Sequence, residues 1–187
     1  MKPSKKLTLF FGTLILGVAA DQITKYIAVT ALYEKGFVAV IGDFLGFELV
    51  ENPGAFLGMF SGARWLFMIP SVAAIIILTV WMLRVKDPHP LFAISLSLFV
   101  CGGIGNMIDR IRLGKVIDFI ALHFGSYRFP NFNLADSCVT IGAILFFIYC
   151  FVPGNMIFGG KKDKTDKTKT AELAENGASD ANSTSDV

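Results

Sequence analysis

The sequence predicts a mainly α-helical membrane protein with four transmembrane helices, a small extracytoplasmic platform of β-strands and an interfacial segment. Of the 187 residues, 53% are hydrophobic and only 17% are charged, which is too apolar for an ordinary soluble domain of this size. The chain also contains four apolar stretches that approach or reach the roughly 20 residues needed to cross a bilayer. The predicted spans are 7–32, 65–83, 91–108 and 134–152.

Basic residues predict which ends of the spans face the cytoplasm. They precede the first span, lie between the second and third, and follow the fourth, at Lys2, Lys5, Lys6, Arg84, Lys86, Lys161 and Lys162. Cytoplasmic loops are enriched in such residues, so both termini are expected in the cytoplasm. The connection 109–133 is also basic although this orientation places it outside, so the N-terminal lysines and the tail decide the prediction.

The chain is expected to divide into a membrane-embedded domain, residues 1–160, and a cytoplasmic tail, residues 161–187. The tail has almost no large apolar residues and is predicted to be disordered. The basic and apolar residues before Asp21 imitate a cleavable secretory signal. We expect this segment to be retained, because apolar residues resume at Ile23 and its loss would leave three spans.

The connections on the outer side contain predicted strands. Residues 37–41 and 44–50 contain aromatic and β-branched side chains and flank the turn-forming pair Gly42-Asp43, which predicts two short strands. Their aromatic side chains favour the lipid headgroup level. Residues 116–122 are predicted to form either a short strand or an interfacial segment. Phe129-Pro130 then interrupts the chain before the last span.

Polar side chains in or beside the spans are the candidate functional residues, because a charge in a bilayer is costly unless it is paired or hydrated. Local structure alone explains several of them. Asp21 and Lys25 have the spacing of a helical ion pair, and Asn133 followed by Asp136 fits a helix cap with an acid in the first turn. Asp109, beside a basic neighbour, fits an ordinary surface pair.

Five short motifs stand beside the spans in a fixed order. They are Asp21-Gln-Ile-Thr-Lys25, Asn52-Pro-Gly-Ala-Phe56, Gly105-Asn-Met-Ile-Asp-Arg110, Val116-Ile-Asp-Phe119 and Phe132-Asn-Leu-Ala-Asp136. Together they resemble the motifs of the bacterial lipoprotein signal peptidases, the signal peptidase II family of aspartic peptidases. The resemblance implies that Asp118 and Asp136 are the catalytic pair and that Asp109 is outside it. It also implies supporting or substrate-binding roles for Asn106, Arg110 and Asn133, and site-lining roles for Asp21, Lys25, Asn52 and Gly54.

The resemblance further implies an inner-membrane endopeptidase that cleaves the signal peptide of a prolipoprotein just before its diacylglyceryl-cysteine, near the outer face. Two close carboxylates share a proton and offer a base and an acid together, which suits hydrolysis by water. We expect Asp136, at a helix N-terminus, to be the base and Asp118 to hold the proton. The expected partners are the prolipoprotein and membrane lipid, with the enzyme a monomer. No metal, cofactor or nucleic acid is expected.

Three other functions fit the sequence less well. A Ser-Lys peptidase would use Lys25 with Ser61 or Ser126, but no motif supports it. A metallopeptidase is disfavoured because His89 and His123 are predicted on opposite sides of the membrane and the sequence contains no H-E-x-x-H. A proton-coupled carrier or scaffold, packed through glycines such as Gly102, Gly103 and Gly105, would need a charge path, and the span 65–83 is uncharged.

Overall fold

The structure is a computed structural model that describes residues 3–54 and 64–151. The predicted tail, 161–187, and the last residue of the fourth predicted span lie outside the described residues. So does Ser61, the first candidate nucleophile of a Ser-Lys peptidase.

Four helices account for the four predicted spans. They are α1 (Pro3–Leu32), α2 (Arg64–Arg84), α3 (Pro90–Leu113) and α4 (Leu134–Phe151). By length and composition, α1, α3 and α4 can each cross a membrane, and α2 contributes a shorter apolar stretch, Met68–Arg84. The predicted class, a mainly helical membrane protein with a small sheet, is confirmed.

Helix α3 lies at the centre, where it packs against each of the other three helices. It begins after His89, whose Nδ1 accepts a hydrogen bond from the Leu91 amide at 3.2 Å, and Pro90 occupies the first turn. It ends at Gly114, which adopts a left-handed conformation with φ of 74°. The helix therefore extends beyond the predicted limit of 108. That limit is set by the end of the run of apolar residues, but the helix continues through a polar last turn that contains two arginines.

Apolar side chains fill the space between α1, α2 and α3 and also cover the outside of the helices. Phe10, Met82 and Phe92 are central members of the buried cluster, and Ser97 Oγ donates to the Phe10 carbonyl at 2.8 Å. On the outside, Leu16 is 72% exposed and Phe147 is 65% exposed. Large apolar side chains directed outward along long helices are typical of a surface that meets lipid.

A four-stranded antiparallel sheet adjoins the ends of the helices. It consists of β1 (Val38–Ile41), β2 (Leu45–Asn52), β3 (Val116–Phe124) and β4 (Tyr127–Arg128), in that order. The predicted strands 37–41 and 44–50 are found with ends shifted by one or two residues. Of the two possibilities for 116–122, the strand is correct, and it pairs with β2 so that Asp118 lies opposite Val50. This pairing brings the two outer connections together.

Lys6 ties the start of α1 to the end of α2. Its ammonium donates to the carbonyl oxygens of Met82, Leu83 and Val85, at or just beyond the end of α2 where carbonyls lack helical partners.

Lys6→Met should lower the free energy of unfolding by about 1–3 kcal/mol, because these acceptors then lose a charged donor. Thermal unfolding in detergent measures the effect, with exposed Lys5→Met as the matched control. Equal melting temperatures for the two variants would show that the contact is not stabilising.

Candidate active site

Asp118 is buried on β3 with both carboxylate oxygens hydrogen-bonded. It is 2% exposed; its Oδ2 accepts from Asn52 Nδ2 at 2.9 Å and its Oδ1 from Asn133 Nδ2 at 2.6 Å. Asn52 ends the adjacent strand β2, and its own Oδ1 accepts from the Gly54 amide at 3.0 Å. Gly54 has φ of 91°, a backbone conformation that favours glycine. The tight turn therefore orients the Asn52 amide with its donor towards Asp118.

Asp136 and Asn133 form a reciprocal cap at the start of α4. The Asp136 amide donates to Asn133 Oδ1 at 3.0 Å, and the Asn133 amide donates to Asp136 Oδ2 at 3.1 Å. This is the geometry of a capping box, so the expected local role of both residues is present. The remaining oxygen of Asp136, Oδ1, accepts from Asn106 Nδ2 at 2.8 Å. Capping thus positions this carboxylate without excluding a second role.

One side chain, Asn133, connects the two aspartates. Its Nδ2 donates to Asp118 and also to Asn106 Oδ1 at 3.1 Å, while its Oδ1 accepts from the Asp136 amide. Asn133 is fully buried, so these contacts are shielded from water. Strand β3, helix α3 and helix α4 therefore meet at a single amide.

Burial raises the pKa of Asp118 to about 6 from an ordinary value of 3.8. Loss of water around the carboxylate is the largest cause, and the nearby Asp136 carboxylate acts in the same direction. Hydrogen bonds from Asn52 and Asn133 and the charge of Lys25 oppose the shift but do not cancel it. Arg110 interacts electrostatically with both aspartates, and its Nη1 donates to the Asn106 carbonyl at 3.4 Å. The result is a carboxyl group that keeps its proton to higher pH than an ordinary aspartate.

Lys25 lies at the centre of a buried polar cluster behind the two aspartates. Its ammonium contacts Asp21 Oδ2 at 3.0 Å, Asp109 Oδ2 at 2.8 Å and Asn106 Oδ1 at 3.0 Å, which uses all three donors. Asp21 is 0% exposed and Asp109 is 3% exposed. Asp21 also accepts a hydrogen bond from the backbone amide of Ala135 at 2.9 Å, and Asp109 accepts one from the backbone amide of Ile117 at 3.3 Å. The cluster therefore joins α1, α3, α4 and β3.

Two features of this cluster differ from the sequence-based expectation. Asp109 is not a surface partner of its basic neighbour; it is buried against Lys25, because α3 continues past 108 and turns it inward. Gln22 was not singled out, yet its Nε2 donates to Asp21, to Asp109 and to the Gly105 carbonyl at 3.1–3.3 Å. Its place inside the first motif, directly after Asp21, is the signal that could have identified it.

Gly105 leaves the space that the Asp21 carboxylate occupies. A Cβ added to Gly105 would approach Asp21 Oδ2 to 2.5 Å, closer than non-bonded atoms allow. The glycine in the third motif is thus explained by the close approach of α1 and α3 at the polar cluster. All nine predicted site residues lie in this network of contacts or beside it: Asp21, Lys25, Asn52, Gly54, Asn106, Arg110, Asp118, Asn133 and Asp136.

The arrangement suits acid–base hydrolysis better than the alternatives. The three donors of Lys25 are occupied by Asp21, Asp109 and Asn106, and none of these contacts is to a serine, as a Ser-Lys pair would require. His89 caps α3. A desolvated aspartate next to a second, hydrogen-bonded aspartate instead offers one proton donor and one base.

Comparisons with known proteins show which family the chain is similar to. The family model for signal peptidase (SPase) II matches residues 13–152. A lipoprotein signal peptidase from Symbiobacterium thermophilum is 37% identical over 135 residues, which are 72% of this chain and 89% of the relative. One from Pseudomonas syringae pv. tomato is 41% identical over 136 residues, covering 70% and 79%. A bacterial membrane enzyme solved by the in meso method at 1.9 Å superposes with a TM-score of 0.70 at 34% identity, covering 77% of this chain and 93% of that one.

Lys25→Met tests whether the polar cluster holds the helices together. The substitution leaves Asp21 and Asp109 buried without their cation, and breaking a buried pair in this way costs about 3–5 kcal/mol. The exposed Lys35→Met is the matched control and should change stability by less than about 0.5 kcal/mol. Thermal unfolding of both variants in detergent provides the comparison. A Lys25→Met protein as stable as the control would contradict the assigned role.

Proposed function

The chain belongs to the signal peptidase II family of lipoprotein signal peptidases, and we propose that Asp118 and Asp136 are the aspartates with which it hydrolyses the signal peptide of a prolipoprotein. The observation that carries the proposal is the Asn133 side chain, which hydrogen-bonds Asp118 and, through its Oδ1, the backbone amide of Asp136. Capping of α4 alone would not explain why Asn133 also donates to Asp118, a buried acid on β3.

The two carboxyl groups divide the work of amide hydrolysis. One ionised aspartate takes a proton from a water molecule while the oxygen of that water attacks the scissile carbonyl carbon. The other, protonated, donates a hydrogen bond to the developing oxyanion and afterwards delivers its proton to the leaving amine. No covalent intermediate with the enzyme is required.

Asp118 is the proton holder and Asp136 the base in this proposal. The burial that raises the pKa of Asp118 to about 6 favours its protonated form. Asp136 accepts hydrogen bonds from the Asn133 amide and from Asn106 and lies at the N-terminus of α4, and we assign it the role of the base on these contacts. Arg110, Asn106 and Asn52 hold the pair in place and offer polar contacts for the substrate backbone.

The membrane positions a lipidated substrate beside the pair. An apolar cavity of about 210 Å³, lined by Ile27, Ala28, Phe47 and Phe119 among others, lies between α1 and the sheet, and Phe119 directly follows Asp118. In the proposal this surface receives acyl chains of a diacylglyceryl-cysteine, so that the bond before the cysteine reaches the aspartates. The enzyme acts as a monomer with both termini in the cytoplasm and the pair near the outer face.

Asp118→Asn and Asp136→Asn test the catalytic pair. Each variant should lose at least about 100-fold in cleavage rate, because an amide can neither take up nor deliver the required proton. The assay uses enzyme purified in detergent and prolipoprotein with and without its diacylglyceryl group. Exposed Glu34→Gln is the control, and melting temperatures separate loss of chemistry from loss of fold.

Two results would overturn parts of the proposal. Activity that survives either substitution would remove that aspartate from the chemistry. Equal cleavage of the unlipidated prolipoprotein would leave a peptidase but contradict the role given to the acyl chains.

The pH dependence of kcat/KM tests which aspartate holds the proton. If Asp118 is the acid, kcat/KM should fall as pH rises through its pKa of about 6. Asn52→Ala removes a hydrogen bond that favours ionised Asp118, so the pKa rises and the alkaline limb moves to higher pH. The control is Asn131→Ala, because Asn131 Nδ2 instead donates to the Glu48 carbonyl at 3.0 Å. A limb that stays in place or moves to lower pH contradicts the assignment.

A further inference from the structure

A second, polar cavity lies at the other end of the sheet from Asp118. It has a volume of about 600 Å³, and its lining includes Phe37, Asp43, Phe44, His123, Phe124 and Arg128. His123 lies five positions after Asp118 on β3, which corresponds to about 16 Å along a strand. The cavity is therefore distinct from the peptidase site, and the reaction proposed above makes no use of it.

Opposite charges line this cavity without neutralising each other. Arg128 lies directly across from His123 in the pairing of β3 with β4, which places their side chains on one face of the sheet. Asp43 lies in the turn between β1 and β2. Within residues 3–54 and 64–151, neither Asp43 nor Arg128 forms an ion pair, and the buried His123 Nε2 has no hydrogen-bond partner. A cation, an anion and an unsatisfied imidazole nitrogen thus line one cavity.

Aromatic rings form the walls and fix the shape of the cavity. Phe37 stacks on the His123 imidazole with ring centroids 4.4 Å apart and planes at 25°, and Phe44 meets Phe124 edge-on at 5.3 Å. Aromatic faces attract cations, including the ammonium groups of ligands. The walls therefore favour a ligand with a positively charged nitrogen beside its anionic part.

The position of the cavity points to the membrane surface. The sheet follows the ends of α1 and α3 within a few residues and precedes the start of α4. Around the cavity, Ile41, Phe124 and Tyr127 are 54–59% exposed. Exposed aromatic and aliphatic side chains beside charged groups are typical of the lipid headgroup level.

We propose that this cavity binds the zwitterionic headgroup of a membrane phospholipid. The phosphate lies at Arg128, with the His123 imidazole as a second donor, because a guanidinium matches phosphate oxygens. The ammonium lies at Asp43 against the aromatic walls. A phospholipid without an amine leaves Asp43 unpaired and binds more weakly. The bound headgroup anchors the sheet that carries Asn52 and Asp118 at the bilayer surface.

Lipid competition in nanodiscs tests the proposal. The full chain is reconstituted with equal amounts of phosphatidylethanolamine and phosphatidylglycerol, and the lipids retained after release into detergent are counted by native mass spectrometry. Phosphatidylethanolamine should be enriched about fivefold, which corresponds to ~1 kcal/mol. Asp43→Asn should abolish the enrichment, Asp43→Glu should restore it, and Arg128→Gln should reduce retention of both lipids. The controls are Glu34→Gln and Arg112→Gln, which remove exposed charges outside the cavity.

Further arms distinguish the sources of the ligand. Glycerophosphoethanolamine and inorganic phosphate are titrated against the bound lipid, and neither should displace it at equal concentration. Displacement would show a site for a soluble phosphate compound and overturn the lipid assignment. Equal retention of the two lipids by the unmodified chain would overturn it as well. If Asp43→Asn and Arg128→Gln match their controls in lipid retention but raise KM for a prolipoprotein, the cavity contacts the substrate peptide instead. Melting temperatures confirm that each variant compared is folded.

Discussion

The buried ion pairs of Lys25 with Asp21 and Asp109 are the interaction on which the rest of the structure depends. A lone charge in this position would be strongly unfavourable, so the two carboxylates must arrive together from α1 and α3. The same carboxylates bind the amides of Ala135 and Ile117, at the start of α4 and of β3. Charge neutralisation of one lysine thereby fixes the relative positions of the elements that carry the two aspartates proposed to be catalytic.

Amide side chains transmit this order from the lysine to the aspartates. Asn106 accepts from Lys25 and donates to Asp136, and Asn133 donates to Asn106 and to Asp118. An asparagine carries a donor and an acceptor on one rigid plane, so each contact restricts the orientation of the next. The cation is thus coupled to both acids without neutralising them, and Asp118 keeps a pKa raised to about 6 mainly by burial.

The sheet serves both the chemistry and the membrane. Near one end, β2 and β3 bring Asn52 to Asp118, beside an apolar cavity that suits acyl chains. Near the other, β3 and β4 bring His123 opposite Arg128 in a cavity that suits a polar headgroup. A single strand, β3, contributes to both cavities. A lipid bound at one end would therefore limit tilting of the sheet and help keep Asp118 in place beside the start of α4. The position of Asp118 thereby depends on the lipid composition of the membrane.

The sequence by itself determined the four helices, the first two strands and the local cap, because hydropathy, turn-forming residues and the Asn133 to Asp136 spacing act over a few residues. The proposed catalytic pair rests on motifs that resemble a family, and not on local physics, since a capping box alone explains Asp136. Only the tertiary structure decided that Asp109 faces Lys25, that Gln22 joins the cluster and that β3 pairs with β2. These outcomes depend on contacts between residues about 65–115 positions apart, where desolvation and charge pairing in a shared interior, rather than local propensity, select the partner.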